Sequence, residues 1–286
     1  WEKGGLRFRG VFNDLLTSRQ ANETAANFIK SKIQMTVKHP ETARILSDID
    51  HPYAAKRPPI DTNYFETFNR NNVTLVDVTD DPISEIVAGG IKLQSGAEHE
   101  LDTLVFATGF DAMTGPLLRL NITGSEGPLN EYWATGPLSY LGLAIPNFPN
   151  LFTVTGPGSP SVLSNMPVSI EQHVDWITEC IDYCMRNSVS RIEAEADAAK
   201  GWVAHVREAA EATLLPDAAH SWYWGANIPG KPRVFMPYAG GIVRYRKFCE
   251  SVAHNGYAGF NFFQSDKKRN KKQIIYQQIH TNDPGV

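Results

Sequence analysis

The first part of the chain carries apolar residues at helical spacing. They recur with gaps of three and four, at Ala26, Ile29, Ile33 and Val37. This is the pattern of a helix with one buried face. Asn22 is the predicted cap at its start, and Pro40 is predicted to end this helix and to begin a shorter one that runs to Leu46.

Short runs of strand-forming residues follow. They lie at Val73–Val78, Ile83–Val87, Ile91–Leu93 and Leu101–Ala107. The pair Gly89-Gly90 stands between the second and third runs and predicts a hairpin turn. The last run, LDTLVFA, is almost continuously apolar, which is typical of a parallel strand buried on both faces.

A strand, a glycine loop and a helix are predicted in the middle of the chain. Leu151–Thr155 (LFTVT) is the second buried-strand candidate, and it leads into GPGSP at 156–160. The helix is predicted from Asn165 to Met185. Its buried face is predicted to consist of Ile170, Val174, Ile177 and Ile181. α/β proteins use this unit at the carboxyl edge of their sheet, where ligands bind.

The same spacing predicts two further helices. One covers residues 193–215, and the other runs from Tyr245 to His254. The buried side of the first is predicted to carry Trp202, Val206 and Ala210. Together with the short strands, these helices predict an α/β fold with pieces of more than one domain.

Composition excludes some classes of function. The 286 residues are 42% hydrophobic and 20% charged, the balance of a globular protein, and the net charge of -4 argues against a nucleic-acid-binding surface. No apolar run is long enough to predict a membrane span. The three cysteines have no metal-binding spacing and predict free thiols in a reducing compartment, hence a cytoplasmic location. Residues 263–286 are polar and include a lysine cluster, which predicts a disordered tail.

Two glycine-containing segments are candidates for cofactor contact. The loop at 156–158, followed by the helix start at Asn165 and Met166, offers backbone N–H groups and partial positive charge to an anion. The third glycine of a dinucleotide fingerprint is missing, so a simple tight turn remains the alternative. Thr108 and Gly109 follow the predicted buried strand and allow a cofactor to approach the backbone closely, although an ordinary turn explains them equally well.

Lys56 and Arg57 are the candidate cations. They lie on a proline-bounded loop (AAKRPPI), where two charges are most often a solvated surface. The functional alternative is electrostatic, because a guanidinium stays charged and can hold an anion that forms during a reaction. His173 and His205 lack partners at helical spacing and are predicted to be surface or packing residues, and no metal motif is present.

Four stretches resemble the Baeyer–Villiger monooxygenases, the group of phenylacetone, cyclohexanone and steroid monooxygenases. They are residues 54–77, 101–117, 147–177 and 221–241, in the order and spacing of that family. The resemblance implies FAD and NADPH as cofactors and O2 and a ketone as substrates, with an ester or lactone as product. It also implies part of a fold with two dinucleotide-binding domains, without the amino-terminal FAD fingerprint.

The resemblance implies roles for residues near both cofactors. Arg57 matches the arginine that lies over the flavin and stabilises its peroxide, and Lys56 matches the lysine that helps to hold the NADPH phosphate. Asn165 and Met166 open the helix whose amino end faces the flavin. Trp222 matches the tryptophan of a mobile loop that folds over NADP.

Further roles concern the substrate pocket and the domain connection. Ser161, Val162 and Leu163 match the loop that shapes the pocket. Thr108 and Gly109 match the stretch that returns the chain from the NADP domain to the FAD domain. The implied division is a helical segment at 1–51, the second part of the NADP domain at 52–105 and the carboxyl-terminal part of the FAD domain at 106–262.

The family's nucleotide motifs and its glycine, histidine and tryptophan signature are missing. The chain is therefore expected to be a carboxyl-terminal fragment that binds FAD poorly and is inactive alone, with a missing amino-terminal half as a partner. Two alternatives stay open. One is a related flavin monooxygenase that oxidises nitrogen or sulfur, and the other is a non-catalytic fragment that acts as a binding partner.

Overall fold

The computed structural model describes residues 5–264, in which helices and short strands are mixed as the sequence predicts. The helices are α1 Arg19–Thr36, α2 Pro40–Ser47, α3 Tyr64–Thr67, α4 Gly115–Leu118, α5 Leu129–Tyr132, α6 Met166–Arg186, α7 Ala196–Glu211 and α8 Ile242–His254. Turns of 3-10 helix lie at Gly5–Gly10, Ser161–Leu163, Leu215–Asp217 and Trp222–Trp224.

The strands of residues 5–264 form three small antiparallel sheets. They are β1 Ile83–Val87, β2 Gly90–Leu93, β3 Glu98–Glu100, β4 Thr123–Gly124, β5 Gly127–Pro128, β6 Val189–Ala194 and β7 Phe260–Gln264. The sheets pair β1 with β2 and β3, β4 with β5, and β6 with β7. No helix of this part of the chain is both long and apolar enough to cross a bilayer.

Helix α1 confirms the helical stripe but not its cap. The hydroxyl of Ser18 accepts the first-turn bond, from the N–H of Ala21, so the prediction that Asn22 caps the helix is wrong. Asn22 is instead buried in the first turn, where its amide group donates to the carbonyl of Tyr53 at 3.0 Å and accepts from its N–H at 2.8 Å. This pair of bonds fixes the chain just before Lys56.

The main core lies where α6, α7, α8 and the β6–β7 sheet meet. Trp202, Val206 and Ala210 of α7 are buried in it, as predicted. Phe260 of β7 pairs with Ala194 of β6 and packs against the rings of Tyr140 and Trp176. A smaller cluster under α1 and α2 contains Ile33, Val37 and Ala43.

Helix α6 buries a face other than the predicted one. Ile170, Val174 and Ile181 are exposed, and of the predicted face Ile177 alone packs against the main core, half-buried. The buried residues are Ser169, His173, Trp176, Cys180 and Cys184. Two hydrogen bonds explain why this other face is buried. The indole N–H of Trp176 donates to the carbonyl of Cys249 at 2.8 Å, and Nδ1 of His173 accepts from the backbone N–H of Thr155.

The cysteines are free, as predicted, and all three are buried. Burial raises the pKa of the Cys249 thiol to about 11 and raises the pKa of Cys180 further. Uncharged thiols are poor nucleophiles and poor metal ligands, so these side chains serve packing.

The hairpin at Gly89-Gly90 is confirmed, since Val87 pairs with Gly90 across it. The predictions of strands at Val73–Val78 and of a buried parallel strand at Leu101–Ala107 are wrong. A buried strand needs neighbours to take its backbone hydrogen bonds, and no described strand pairs with either run. Val105 is 80% exposed and Phe106 69% exposed as a result.

Two more sequence predictions need correction. Leu151–Thr155 is not a strand of a sheet, because within it only Phe152 forms a bridge, to Ala144. The predicted tail begins too early, since Phe263 and Gln264 belong to β7 and pair with β6. Residues 265–286 lie outside the described residues.

Candidate functional site

The glycine loop is packed inside the protein. Residues 156–160 are all buried. The N–H of Gly158 donates to the carbonyl of Met236 at 2.6 Å, and Ser159 accepts from the N–H of Tyr238 at 2.7 Å. Opposite the loop, a Cβ on Gly142, which has a φ of +71°, would lie 2.5 Å from the nitrogen of Ser159. The glycines therefore allow two protein backbones to approach, and the structure favours the tight-turn alternative over a phosphate loop.

The turn before α6 holds unusual backbone conformations. Thr155 and Ser161 have φ values of +56° and +44°, in the left-handed region, which non-glycine residues rarely adopt. The N–H of Thr155 donates to Nδ1 of His173 at 2.9 Å. The hydroxyl of buried Ser161 contacts the sulfur atoms of Met113 and Met166 at 3.3 and 4.0 Å. These contacts hold the turn in place at both ends.

Arg57 reaches this turn from a distant part of the sequence. Its Nη1 donates to the carbonyl of Val162 at 2.5 Å, across 105 positions of the chain. Ala55, two residues earlier, is completely buried in the main core and anchors the loop. The guanidinium is exposed. A cation is thus held by its neighbours while remaining open to a ligand.

Tyr223 brings a third segment to Arg57. Burial raises the pKa of Tyr223, and the nearby charge of Arg57 acts in the opposite direction. Tyr223 belongs to the turn Trp222–Trp224, in which the half-buried ring of Trp222 lies 4.7 Å from its own. Arg57 therefore joins the segment of Ser161–Leu163 to the segment that carries Trp222.

Lys56 lies beside Arg57 but has different neighbours. The hydrogen bond from His51 lowers the pKa of Asp50, and the charge of Lys56 acts in the same direction. Lys56 is half-buried. Its ammonium group thus lies near an exposed carboxylate, on the same loop as the guanidinium.

The start of α6 lies next to the Arg57 turn. Asn165 caps the helix and accepts from the N–H of Val168 at 3.5 Å. Asn165 is exposed and Met166 half-buried, so the helix begins at the surface. The first-turn N–H groups give this end partial positive charge, and it follows closely in sequence on the Val162 carbonyl that accepts from Arg57.

Thr108 and Gly109 lie apart from this group. Both are exposed, and no atom lies within 4 Å of where a Cβ on Gly109 would be, although its φ of +89° favours glycine. The chain rejoins the site immediately afterwards, where the carbonyl of Phe110 accepts from Asn227 at 3.0 Å. Of the residues predicted from the sequence, Arg57, Ser161–Leu163 and the α6 start are brought together directly.

Sequence reasoning missed three contributors to the site. The packing alternative predicted for His173 is confirmed, since the ring is fully buried against Tyr245, but its hydrogen bond to the turn was not predicted. Asp111 and Lys231 form an ion pair beside the turn. The signal for His173 was its spacing from Trp176 and Cys180 on one helix face, whereas the partners of the ion pair are 120 positions apart. Within residues 5–264 no group of ligating side chains could hold a metal ion.

Comparison with known proteins shows homology over most of the chain. It is 44% identical to a Baeyer–Villiger monooxygenase of Pseudooceanicola batsensis over 260 residues, which are 90% of this chain and 47% of that protein. It is 44% identical to cyclohexanone 1,2-monooxygenase of an Acinetobacter species over 264 residues, 91% of this chain and 48% of that protein. Phenazine N-monooxygenase PhzNO1 of Lysobacter antibioticus is 43% identical over 263 residues, 91% of this chain and 48% of that protein. No family model matches the chain.

Solved structures give the same result. An oxidised steroid monooxygenase bound to NADP superposes with a TM-score of 0.84 at 46% identity, covering 93% of this chain and 49% of that one. OTEMO in complex with FAD and NADP superposes with a TM-score of 0.83 at 39% identity, covering 88% of this chain and 46% of that one. The α/β fold predicted from the resemblance is confirmed. The chain spans about half the length of the curated relatives that it matches, and over about nine-tenths of its own length it is a homologue of the Baeyer–Villiger, cyclohexanone and steroid monooxygenases.

Proposed function

We propose that this chain is the carboxyl-terminal part of a cytoplasmic FAD- and NADPH-dependent monooxygenase that oxidises a ketone to an ester or lactone. The single observation that carries the proposal is the exposed guanidinium of Arg57, held against the carbonyl of Val162 beside the start of α6. The homology to ketone-oxidising enzymes supports it. The buried free thiols support a reducing compartment.

Arg57 has the chemistry that ketone oxidation requires. Oxygen insertion next to a carbonyl passes through species with negative charge on oxygen, and a fixed cation stabilises such charge more than the neutral starting ketone. Arginine remains charged at any working pH. Its bond to the Val162 carbonyl uses one of five N–H donors, so the others can face a ligand.

The donor set of the site fits the two cofactors. When bound, FAD supplies oxygen activation and NADPH supplies the electrons. Lys56 would hold a phosphate of NADPH, and Trp222 would cover the nicotinamide nucleotide. Asn165 and Met166 would present the positive helix end to the flavin, while Ser161–Leu163 and Thr108-Gly109 would line the pocket and the domain connection. We extend the proposal to the domain division at 51, 105 and 262.

The exposed apolar surface supports an amino-terminal half as partner. Ile170, Val174 and Ile181 form a stripe along α6 that is 40–46% exposed. Phe106 and Phe110 add two exposed rings on another segment. Such surface is normally covered by protein, and the relatives have about as many further residues as this chain.

The test joins this chain to the unmatched half of the Acinetobacter cyclohexanone monooxygenase, in one polypeptide. We expect the fusion to be yellow and to form lactone from cyclohexanone with NADPH and O2, while the 286-residue chain alone is colourless and inactive. Arg57→Ala in the fusion should lower turnover about 100- to 1,000-fold, the range seen on removal of an oxyanion donor. Arg191→Ala, at an exposed site on β6, is the matched control. Normal lactone formation by the Arg57→Ala fusion would reject the assignment.

Oxidation of a ring nitrogen is the second candidate function. PhzNO1, whose name describes an N-monooxygenase, is 43% identical to this chain. Offering the fusion a cyclic ketone and a phenazine side by side separates the two functions. If the fusion converts the phenazine and not the ketone, nitrogen oxidation would replace ketone oxidation as the proposed activity.

A further inference from the structure

An ion pair ties the Trp222 segment to the turn that Arg57 contacts. Lys231 donates from Nζ to Oδ1 of Asp111 and also to the carbonyl of Ala112 at 3.2 Å. The side chains are 11% and 31% exposed, the least of any ion pair within residues 5–264. Asn227 adds a bond to the carbonyl of Phe110 at 3.0 Å. Three contacts therefore hold residues 227–231 against residues 110–112.

Two glycines make room for this pair. A Cβ on Gly225, whose φ is +68°, would lie 3.0 Å from Cδ of Lys231. A Cβ on Gly115 would fall on the carboxyl group of Asp111. The lack of a side chain at Gly115 and Gly225 therefore leaves room for the two members of the pair.

The next residue continues the connection. Met113 has a φ of +65°, and its sulfur accepts from the hydroxyl of buried Ser161 at 3.3 Å. Val162, the neighbour of Ser161, accepts from Arg57. Contacts thus run without a break from Lys231 through residues 111–113 to Ser161 and the guanidinium.

We propose that Asp111 and Lys231 are positioning residues, whose ion pair holds the Trp222 segment in place and, through Met113 and Ser161, fixes the carbonyl to which Arg57 binds. They would act through the position of Arg57 and not on the reacting atoms themselves. Their importance for catalysis rests on the proposed function, but the mechanical coupling does not. The pair couples two loops because each side chain is partly buried, so loss of one charge leaves the other without its counterion.

Amide hydrogen exchange of the full chain tests the coupling without any cofactor. In the first loop, which follows Trp222, the backbone N–H groups of Ile228 and Lys231 are hydrogen-bonded. In the second loop, which Arg57 contacts, those of Leu163 and Ser164 are hydrogen-bonded. We expect Lys231→Met and Asp111→Asn to raise exchange at both loops on the order of tenfold, with no change in α1, since the two loops lose one shared support. Lys231→Arg, which keeps the charge, should restore most of the protection.

The matched control is Lys200→Met. Lys200 also pairs with an aspartate, Asp197, but those side chains are 67% and 95% exposed, and exchange at both loops should not change. Faster exchange at Ile228 and Lys231 alone, or at neither loop, would overturn the coupling. Asp111→Asn keeps the shape of the side chain and decides the matter if Lys231→Met does not fold. Absence of flavin chemistry in the fusion would leave these rates untouched, so the two proposals fail separately.

Discussion

Two apolar segments of this chain differ in burial. Phe260 lies in β7, is 6% exposed and contacts Trp176 and Tyr140. Phe106 lies in the equally apolar run LDTLVFA and is 69% exposed. The difference is a partner, because β7 pairs along its length with β6 while residues 101–107 have no described strand beside them. An apolar run shows that a segment is suited to burial, and only its neighbours decide whether it is buried.

The largest expected effect on stability comes from removing the buried ring. Phe260→Ala removes a side chain enclosed by aromatic rings and should lower the free energy of unfolding by about 3 to 5 kcal/mol. Urea unfolding followed by tryptophan fluorescence would measure it. Phe263→Ala in the same strand is the control, since its ring is 38% exposed over Arg191 and its loss should cost about 1 kcal/mol. Equal losses would mean that β7 does not divide into a buried and an exposed face.

Local patterns predicted the helices well. Helix α1 was predicted from its stripe, and α7 from Trp202, Val206 and Ala210, because each helix packs the face that its own sequence makes apolar. Helix α6 shows the limit of this reasoning. Three of the four residues of its predicted stripe are exposed, and the face with His173 and Trp176 is buried through hydrogen bonds to other segments. Periodicity contains no information about such distant polar partners.

The site too could be predicted only in part, because sequence patterns contain no information about contacts between distant residues. Lys56 and Arg57 were candidates from their charges on a proline-bounded loop, Ser161–Leu163 came from the matched family strings, and the structure places Arg57 against Val162. The roles of these residues toward cofactors remain predictions. The ion pair between Asp111 and Lys231 could not be predicted, because contacts across 120 positions depend on the folded chain.

The second effect in size is a pH dependence of the packed region. Burial lowers the pKa of His173 from its ordinary value of 6.5 to about 4. The bond from the N–H of Thr155 to Nδ1 also requires an unprotonated nitrogen there. Below pH 6.5, His173 therefore binds a proton in the unfolded chain but not in the folded chain. Stability is full above that pH and is lost progressively as pH falls toward 4, by about 3 kcal/mol at most.

His173→Asn tests this dependence. The variant should unfold more easily at pH 7, because the buried ring is lost, but its stability should fall less steeply between pH 6.5 and 4. Some slope should remain, since burial also lowers the pKa of His205. Urea unfolding at half-unit pH intervals would show two curves that converge toward acid. Parallel curves would mean that His173 is protonated as readily in the folded chain as in the unfolded one.

The smallest expected effect belongs to the exposed segment and completes the comparison. Phe106→Ala makes the same chemical change as Phe260→Ala, but the ring is 69% exposed and gains little from folding. The free energy of unfolding should change by no more than about 0.5 kcal/mol. Self-association, measured by light scattering, should fall, because exposed rings promote it. A loss of stability as large as that of Phe260→Ala would show that residues 101–107 are packed in solution, and the contrast between the two segments would then disappear.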